Sequence, residues 1–221
     1  MAWTKITSRI DYLGVNGGTT TAIDTTGADF FIVAVSSYTV GTGGSETVTD
    51  SVGNTYTALT AKSNASYETI RLFYSYGSPH ASHTFTYSDT SCYAHVAVIA
   101  FSGSHATPFD QQNGVDSTGA VTTLSPGSVT PSENDELVIC ALGMYSNWNV
   151  SLSIDSGFTI EKSATAILSV AIAYKIQTTA GAENPAWSWT TARSSSTVIA
   201  TFKKAAAGGG GNPYYYYQQA G

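Results

Sequence analysis

Gly27-Ala28-Asp29-Phe30-Phe31-Ile32-Val33-Ala34-Val35 and Asn134-Asp135-Glu136-Leu137-Val138-Ile139-Cys140-Ala141-Leu142 are two versions of one phrase. Each is an acidic turn followed by an unbroken apolar run of strand-forming residues. The likeness extends in order along both sides. Asp50-Ser51 before Gly53-Asn54-Thr55-Tyr56 matches Asp155-Ser156 before Gly157-Phe158-Thr159, and Arg71 to Tyr76 matches Val170 to Lys175. Thr84-Phe85-Thr86-Tyr87 answers Trp187-Ser188-Trp189-Thr190, and Val96 to Phe101 answers Val198 to Phe202. Residues 27–103 are thus written again, loosely, in residues 133–204, at an offset of roughly 100 residues that is too long for a solenoid repeat.

The repeated vocabulary is that of β-strands. Short runs of Val, Ile, Tyr, Phe and Thr are bounded by Gly, Asn, Asp, Ser and Pro, and no helix of normal length is visible. Thr84 to Tyr87 and Trp187 to Trp189 alternate with period two, as strands with one buried face do, which places Trp187 and Trp189 in the core. Phe30 to Val35, Val96 to Phe101 and Leu137 to Leu142 are continuous apolar runs and predict central strands covered on both sides. Pro79, Pro108, Pro126, Pro131 and Pro185 are expected between strands, where a missing N–H loses no ladder bond. Ser104 to Ser132 reads as a surface crossover joining the copies. The expected fold is all-β: a jelly-roll-like β-sandwich of about ten strands built from an internal duplication, with two tandem sandwiches as the alternative. Residues 1–204 form the duplicated sandwich, with halves of about 1–104 and 130–204, and residues 205–221 form a Gly-rich linker and a Tyr-rich C-terminal anchor.

Composition narrows the function classes. Only 11% of the 221 residues are charged, and nine Lys plus Arg against fifteen Asp plus Glu leave a net charge of −6. Without clustered basic residues, nucleic acid is not an expected partner. The N-terminus lacks the apolar core of a signal peptide, and no stretch is long enough to span a bilayer as a helix, so neither Sec export nor membrane insertion is expected. Cys92 and Cys140 are the sole cysteines; Cys140 reads as a small buried hydrophobe, and a disulfide is not expected.

Chemistry-bearing residues are scattered. His80, His83, His95 and His105 all fall in or near the first copy but have no metal-ligand spacing, and solvent-facing positions are expected for them. Asp24, Asp50, Asp110, Asp116 and Asp155 lie in loops that could offer oxygen to Ca²⁺, yet no EF-hand string is present and Asp50-Ser51 and Asp155-Ser156 serve equally as turn formers. No cofactor is expected. Glu46, Glu68, Glu133, Glu136, Glu161 and Glu183 do not form an evident glycosidase pair, and no nucleophile elbow occurs, so no catalytic residue is assigned.

Two segments suggest binding. Tyr145-Ser146-Asn147-Trp148-Asn149 sets an aromatic platform among amide and hydroxyl donors, so Tyr145, Asn147, Trp148 and Asn149 are candidate glycan contacts. After Lys204 come three alanines, four glycines, Asn212-Pro213 and the run Tyr214-Tyr215-Tyr216-Tyr217. Glycine makes a flexible connector and tyrosine a large adhesive contact, so Pro213, Tyr214, Tyr215, Tyr216 and Tyr217 are the candidate anchor.

Asp50-Ser51-Val52-Gly53-Asn54-Thr55-Tyr56, Ile99-Ala100-Phe101-Ser102-Gly103, Pro108-Phe109-Asp110, Glu133 to Val138, Gly157-Phe158-Thr159 and Ile199 to Lys203 together resemble a diffuse group of β-sandwich modules found in phage virion proteins and bacterial surface proteins. The resemblance covers about residues 25–204 and lies in turns and core strands, so it carries no catalytic residue. It implies a non-enzymatic structural protein of a phage particle: a capsid decoration, head-fibre or tail component, made in the host cytoplasm and attached through its C-terminal tail. Other virion proteins, neighbouring copies of the chain and host surface polysaccharide are the expected partners. A carbohydrate-binding adhesion module and an extracellular filament subunit are the competing readings.

Overall fold

The structure is a computed structural model, and it describes residues 2–39, 46–64, 68–145, 151–164 and 168–206, save the side chains of Thr39 and Ser91. Its described residues form strands and no helix: β1 (Thr4–Thr19), β2 (Phe30–Thr39), β3 (Thr47–Asp50), β4 (Thr57–Ala58), β5 (Lys62–Ser63), β6 (Glu68–Tyr76), β7 (Phe85–Ser102), β8 (Ser104–Asp116), β9 (Val121–Leu124), β10 (Glu136–Tyr145), β11 (Ser153–Ile154), β12 (Thr159–Ala164), β13 (Leu168–Gln177), β14 (Trp187–Arg193) and β15 (Ser195–Lys204). The fold is all-β and sandwich-like, as the strand vocabulary predicts.

The repeat is visible in the pairing. In the first copy the strand order is β1-β7-β2-β6-β4, with β5 also on β6 and β3 on the start of β7. In the second it is β8-β15-β10-β13-β12, beside a separate sheet β9-β14-β11. β7 performs in one long strand what β14 and β15 perform as two. Its early residues Phe85–Ser88 pair with β3 and with the end of β1, and its later residues pair with β2. Each copy therefore has a five-strand-wide sheet with a smaller three-strand layer folded over its outer face. The end of β1 passes so close to β7 that a Cβ on Gly17 would lie 2.1 Å from the Tyr87 carbonyl oxygen, and its φ of 82° is one that glycine accepts without strain.

The continuous apolar runs have the two-sided burial expected of them. Phe30, Ile32 and Ala34 of β2 pack in a central cluster with Ile99, Phe101, Leu137, Ile139, Ile172 and Phe202, drawn from both copies. Phe31, Val33 and Val35, on the opposite face of the same strand, pack with Phe85, Tyr87 and Val98 under the first copy's outer layer. Val138, Cys140 and Leu142 pack likewise with Trp187 and Trp189 in the second copy. The two broad sheets thus meet across a central seam and form the inner pair of four layers. Lys5 and Ser8 of β1 bond to Glu161 of β12 along one side of the seam, and the Thr60 N–H donates to Gln112 of β8 on the other.

Three expectations are corrected. Ser104 to Ser132 is not a plain crossover, because β8 and β9 occupy much of it and complete the second copy's sheets, as β1 does in the first. Pro108 lies inside β8 rather than between strands; β8 is an edge strand whose register slips on either side of Phe109, so the absent N–H interrupts nothing. His83 and His95 are buried rather than solvent-facing, for reasons given below. Trp187, Trp189 and Cys140 are buried, both cysteines are free, and the Trp187 indole N–H donates to Cys140 Sγ at 3.1 Å.

Candidate functional site: a tyrosine-lined pole

Of the predicted binding residues, Tyr145 is described; Asn147, Trp148 and Asn149, and the anchor residues Pro213 to Tyr217, lie outside the described residues. Tyr145 ends β10 and is 38% exposed, and its ring stacks on Tyr38 at a centroid distance of 4.6 Å and an interplanar angle of 25°. Tyr38 is the same position in the other copy, since β2 and β10 each place a tyrosine eight residues beyond the first core residue. The pair therefore closes one end of the seam with one ring from each sheet.

The aromatic surface continues along the first sheet. Tyr93 of β7 lies directly opposite Tyr38, and Val15 of β1 lies directly opposite Tyr93. Directly opposed residues of an antiparallel ladder share a face, so the strip runs Val15, Tyr93, Tyr38, Tyr145 across the strands. Val15 and Tyr93 are exposed, as is Tyr12, whose ring meets His95 edge-on at 5.3 Å. Exposed apolar surface grouped in this way marks a contact surface more often than the same residues scattered singly.

Beneath the strip the seam turns polar. Glu68, at the start of β6, is fully buried and accepts from Ser36 Oγ at 3.2 Å and from Asn64 Nδ2 at 2.8 Å. Room for its carboxyl comes from the other copy, where a Cβ on Gly143 would lie 1.9 Å from Glu68 Oε1. Burial pushes the Glu68 carboxyl up to about 8 against the opposing hydrogen bonds of Ser196 and Ser36, so it is protonated at neutral pH. His95 is buried beside Ser36, and its Nδ1 lies 2.7 Å from the Leu168 carbonyl oxygen across the seam. Burial lowers the His95 pKa although the Leu168 bond opposes it; the imidazole is accordingly neutral and donates to that carbonyl.

A second buried polar group invites a chemical reading. His83 has Asp50 Oδ2 3.0 Å from its Nε2 and Thr25 Oγ1 2.9 Å from its Nδ1, the acid, imidazole and hydroxyl order of a nucleophilic relay. Thr25, His83 and the Asp50 side chain are all 0% exposed, and His83 is sandwiched against Phe85 at 4.4 Å, so no substrate reaches the hydroxyl. Asp50 also accepts from the backbone N–H groups of Val52, Gly53 and Asn54, from the Asn54 side chain and from Tyr56 OH. Burial opposes its ionisation, but the Asn54, His83 and Tyr56 bonds outweigh burial and hold its pKa below the ordinary carboxylate value. The group is a structural clamp on the turn after β3. In the second copy the place of the Ile23–His83 bridge is taken by Val129 and Glu183, and Glu183 accepts from Lys175 Nζ and Gln177 Nε2.

The five aspartates expected in loops do not converge, and three of them lie in strands: Asp50 ends β3, and Asp110 and Asp116 belong to β8, where pairing with β15 holds the backbone extended. Asp110 accepts from Ser132 and faces Lys203, Asp155 accepts from the Ala186 N–H, and Asp24 accepts from the Thr26 N–H. Among the described residues no three His, Cys, Asp or Glu side chains come together as a metal site. A shallow cleft of about 340 Å³ opens between β6 and β8, lined by Thr55, Tyr74, Tyr76, Thr107 and Phe109, at the end of the molecule opposite the tyrosine strip.

Sequence reasoning found Tyr145 and missed Tyr12, Tyr38 and Tyr93. Carrying the repeat three residues past Leu142 would have paired Tyr38 with Tyr145; Tyr12 and Tyr93 have no such signal, because only the sheet brings β1 and β7 alongside. Compared with protein-family models, curated proteins and solved structures, the chain gives no match.

Proposed function

We propose that the protein is a non-enzymatic structural component of a phage particle, a decoration, fibre or tail element, held through its C-terminal tail and turned outward at its tyrosine-lined pole. The observation that supports this reading is polarity. β15 runs from Ser195, beside the strip, to Lys204 at the other end of the seam, where the Ala205 N–H bonds to the Gly103 carbonyl. A ten-residue strand spans about 30 Å, so the described chain ends, at Ala206, at the pole farthest from the tyrosine strip, and the tail is joined there. The two poles also differ in chemistry. The departure pole holds Asp29, Lys203 with Asp110 and Glu133, and Lys204 with Asp135. The strip holds no charged side chain.

Such an arrangement suits display. A run of glycines at one end would let a short tyrosine-rich segment seat on a partner while the body points away, and repetition on a lattice adds weak contacts through avidity. The test compares the full chain with a chain stopped after Ala206, each mixed with the particle or with itself at micromolar concentration. Co-sedimentation or a defined oligomer that depends on residues 207–221 supports the reading; equal behaviour of the two chains overturns it.

A further inference from the structure

The strip formed by Val15, Tyr93, Tyr38 and Tyr145 has chemistry that selects among ligands. Three phenol rings in succession offer apolar faces and, at their edges, hydroxyls that both donate and accept. No charged side chain belongs to the strip; the nearest pair along β2, Glu46 with Arg71, bonds at Ser37 on the strand's other face. Glu68, buried beneath Tyr38, is protonated at neutral pH. The strip's own side chains offer a polyanion no cation and a basic peptide no carboxylate. A neutral polyhydroxylated chain finds faces for its C–H surfaces and partners for its hydroxyls.

The strip is also linear. Its members stand on successive strands β1, β7 and β2 and then cross to β10 through the Tyr38–Tyr145 stack, so it runs perpendicular to the strands at intervals of about 5 Å within the sheet. Its inner half is anchored, because the stacked pair is one ring from each copy and Ser36 and His95 lie packed below it. A rigid platform of this kind binds an extended polymer without first having to order itself.

We infer that Val15, Tyr93, Tyr38 and Tyr145 form a binding site for a neutral polysaccharide, with the rings of Tyr93 and Tyr145 as its exposed contacts. The inference deepens the display reading and rests on it only for the outward orientation of this pole. Binding itself belongs to the free chain.

The experiment is affinity electrophoresis of the full chain in native gels cast with dextran, soluble starch, galactomannan or a β-1,3-glucan, with alginate as the anionic control. At least one neutral polymer should retard the protein while alginate does not. Tyr93→Ala and Tyr145→Ala should each weaken that retardation about tenfold, the effect of losing one well-packed aromatic contact. Tyr76→Ala, which removes a still more exposed ring at the other pole, should leave it unchanged. Thermal unfolding of each variant checks that it is folded, and Tyr145→Phe, which keeps the ring, should retain retardation if alanine at that position unfolds the pole. The inference is overturned if none of the neutral polymers retards the chain, if alginate retards it equally, or if Tyr76→Ala weakens binding as much as the strip variants do. It is overturned as well if the strip variants abolish self-association of the full chain instead, since a second copy would then be the occupant. A chain that binds polymer but fails to attach to a particle would reject the display reading and leave this site standing.

Discussion

Glu68 places a carboxyl inside the seam. Its carboxyl is fully enclosed and its pKa is raised to about 8, so the folded state holds a proton that the unfolded chain releases near its ordinary value of 4.5. The sign follows from linkage: the stability is fully present below the unfolded pKa and is lost as pH rises toward the folded pKa, at up to about 1.4 kcal/mol per pH unit. Urea denaturation should therefore show the wild type losing stability between pH 5 and pH 8 relative to Glu68→Gln, which cannot ionise. Parallel curves for the two proteins would show that the carboxyl is not held neutral. Asp50 is the opposite case. Its pKa is depressed, so its contribution is present above the ordinary carboxylate range and fades as pH falls. Asp50→Ala leaves three backbone N–H groups, Tyr56 OH and the Asn54 amide without their acceptor, and should cost about 3–5 kcal/mol in chemical denaturation at pH 7.

Among the elements, β2 and β10 carry the design. Each is apolar on both faces because each lies in the middle of a broad sheet with a layer on either side. They differ where they approach the tyrosine pole: β2 has Ser36 and β10 has Gly143, and the vacancy at Gly143 admits Glu68 from the facing sheet. Gly143→Ala should cost about 1–3 kcal/mol by overpacking, read as a drop in the denaturation midpoint. Alanine is otherwise well tolerated in such a position, so an unchanged midpoint would mean that the carboxyl can move aside. β7 and the pair β14 and β15 show how one strand of a repeat can divide. β7 carries its chain unbroken from the outer layer into the broad sheet, whereas the second copy breaks near Ser195 and assigns its outer layer to a separate sheet.

For the whole molecule, the decisive surface is the seam. Ile32, Ile99, Ile139 and Ile172 meet there in one cluster with Phe30, Phe101 and Phe202, so neither copy can expose its inner sheet without uncovering a large apolar face. Ile139→Ala should cost about 2–5 kcal/mol and should lower one shared thermal transition in calorimetry. Two transitions, one of them unmoved, would show that the copies unfold independently.

The all-β class, the duplication and the two-sided burial of the central runs could be read from residues alone, because β-branched and aromatic runs punctuated by Gly, Asp and Pro have few other stable arrangements. Cys140, Trp187 and Trp189 could be placed in the core for the same reason. What β1, β8 and β9 do could not be read, because strands such as Thr4–Thr19 mix polar and apolar residues along an edge and acquire their meaning from the partner they pair with. The burial of His83 and His95 was likewise hidden, since a histidine's surroundings are set by what folds over it: Phe85 and Asp50 in one case, Leu168 and Tyr12 in the other. The tyrosine strip belongs to the same class. The sequence by itself determined that this chain builds paired β-sheets around apolar strands, because local composition sets which faces must be buried. Only the tertiary structure decided that Val15, Tyr93, Tyr38 and Tyr145 form one surface and that β15 ends at the opposite pole, because strand pairing and the facing of two sheets join residues that are far apart along the chain.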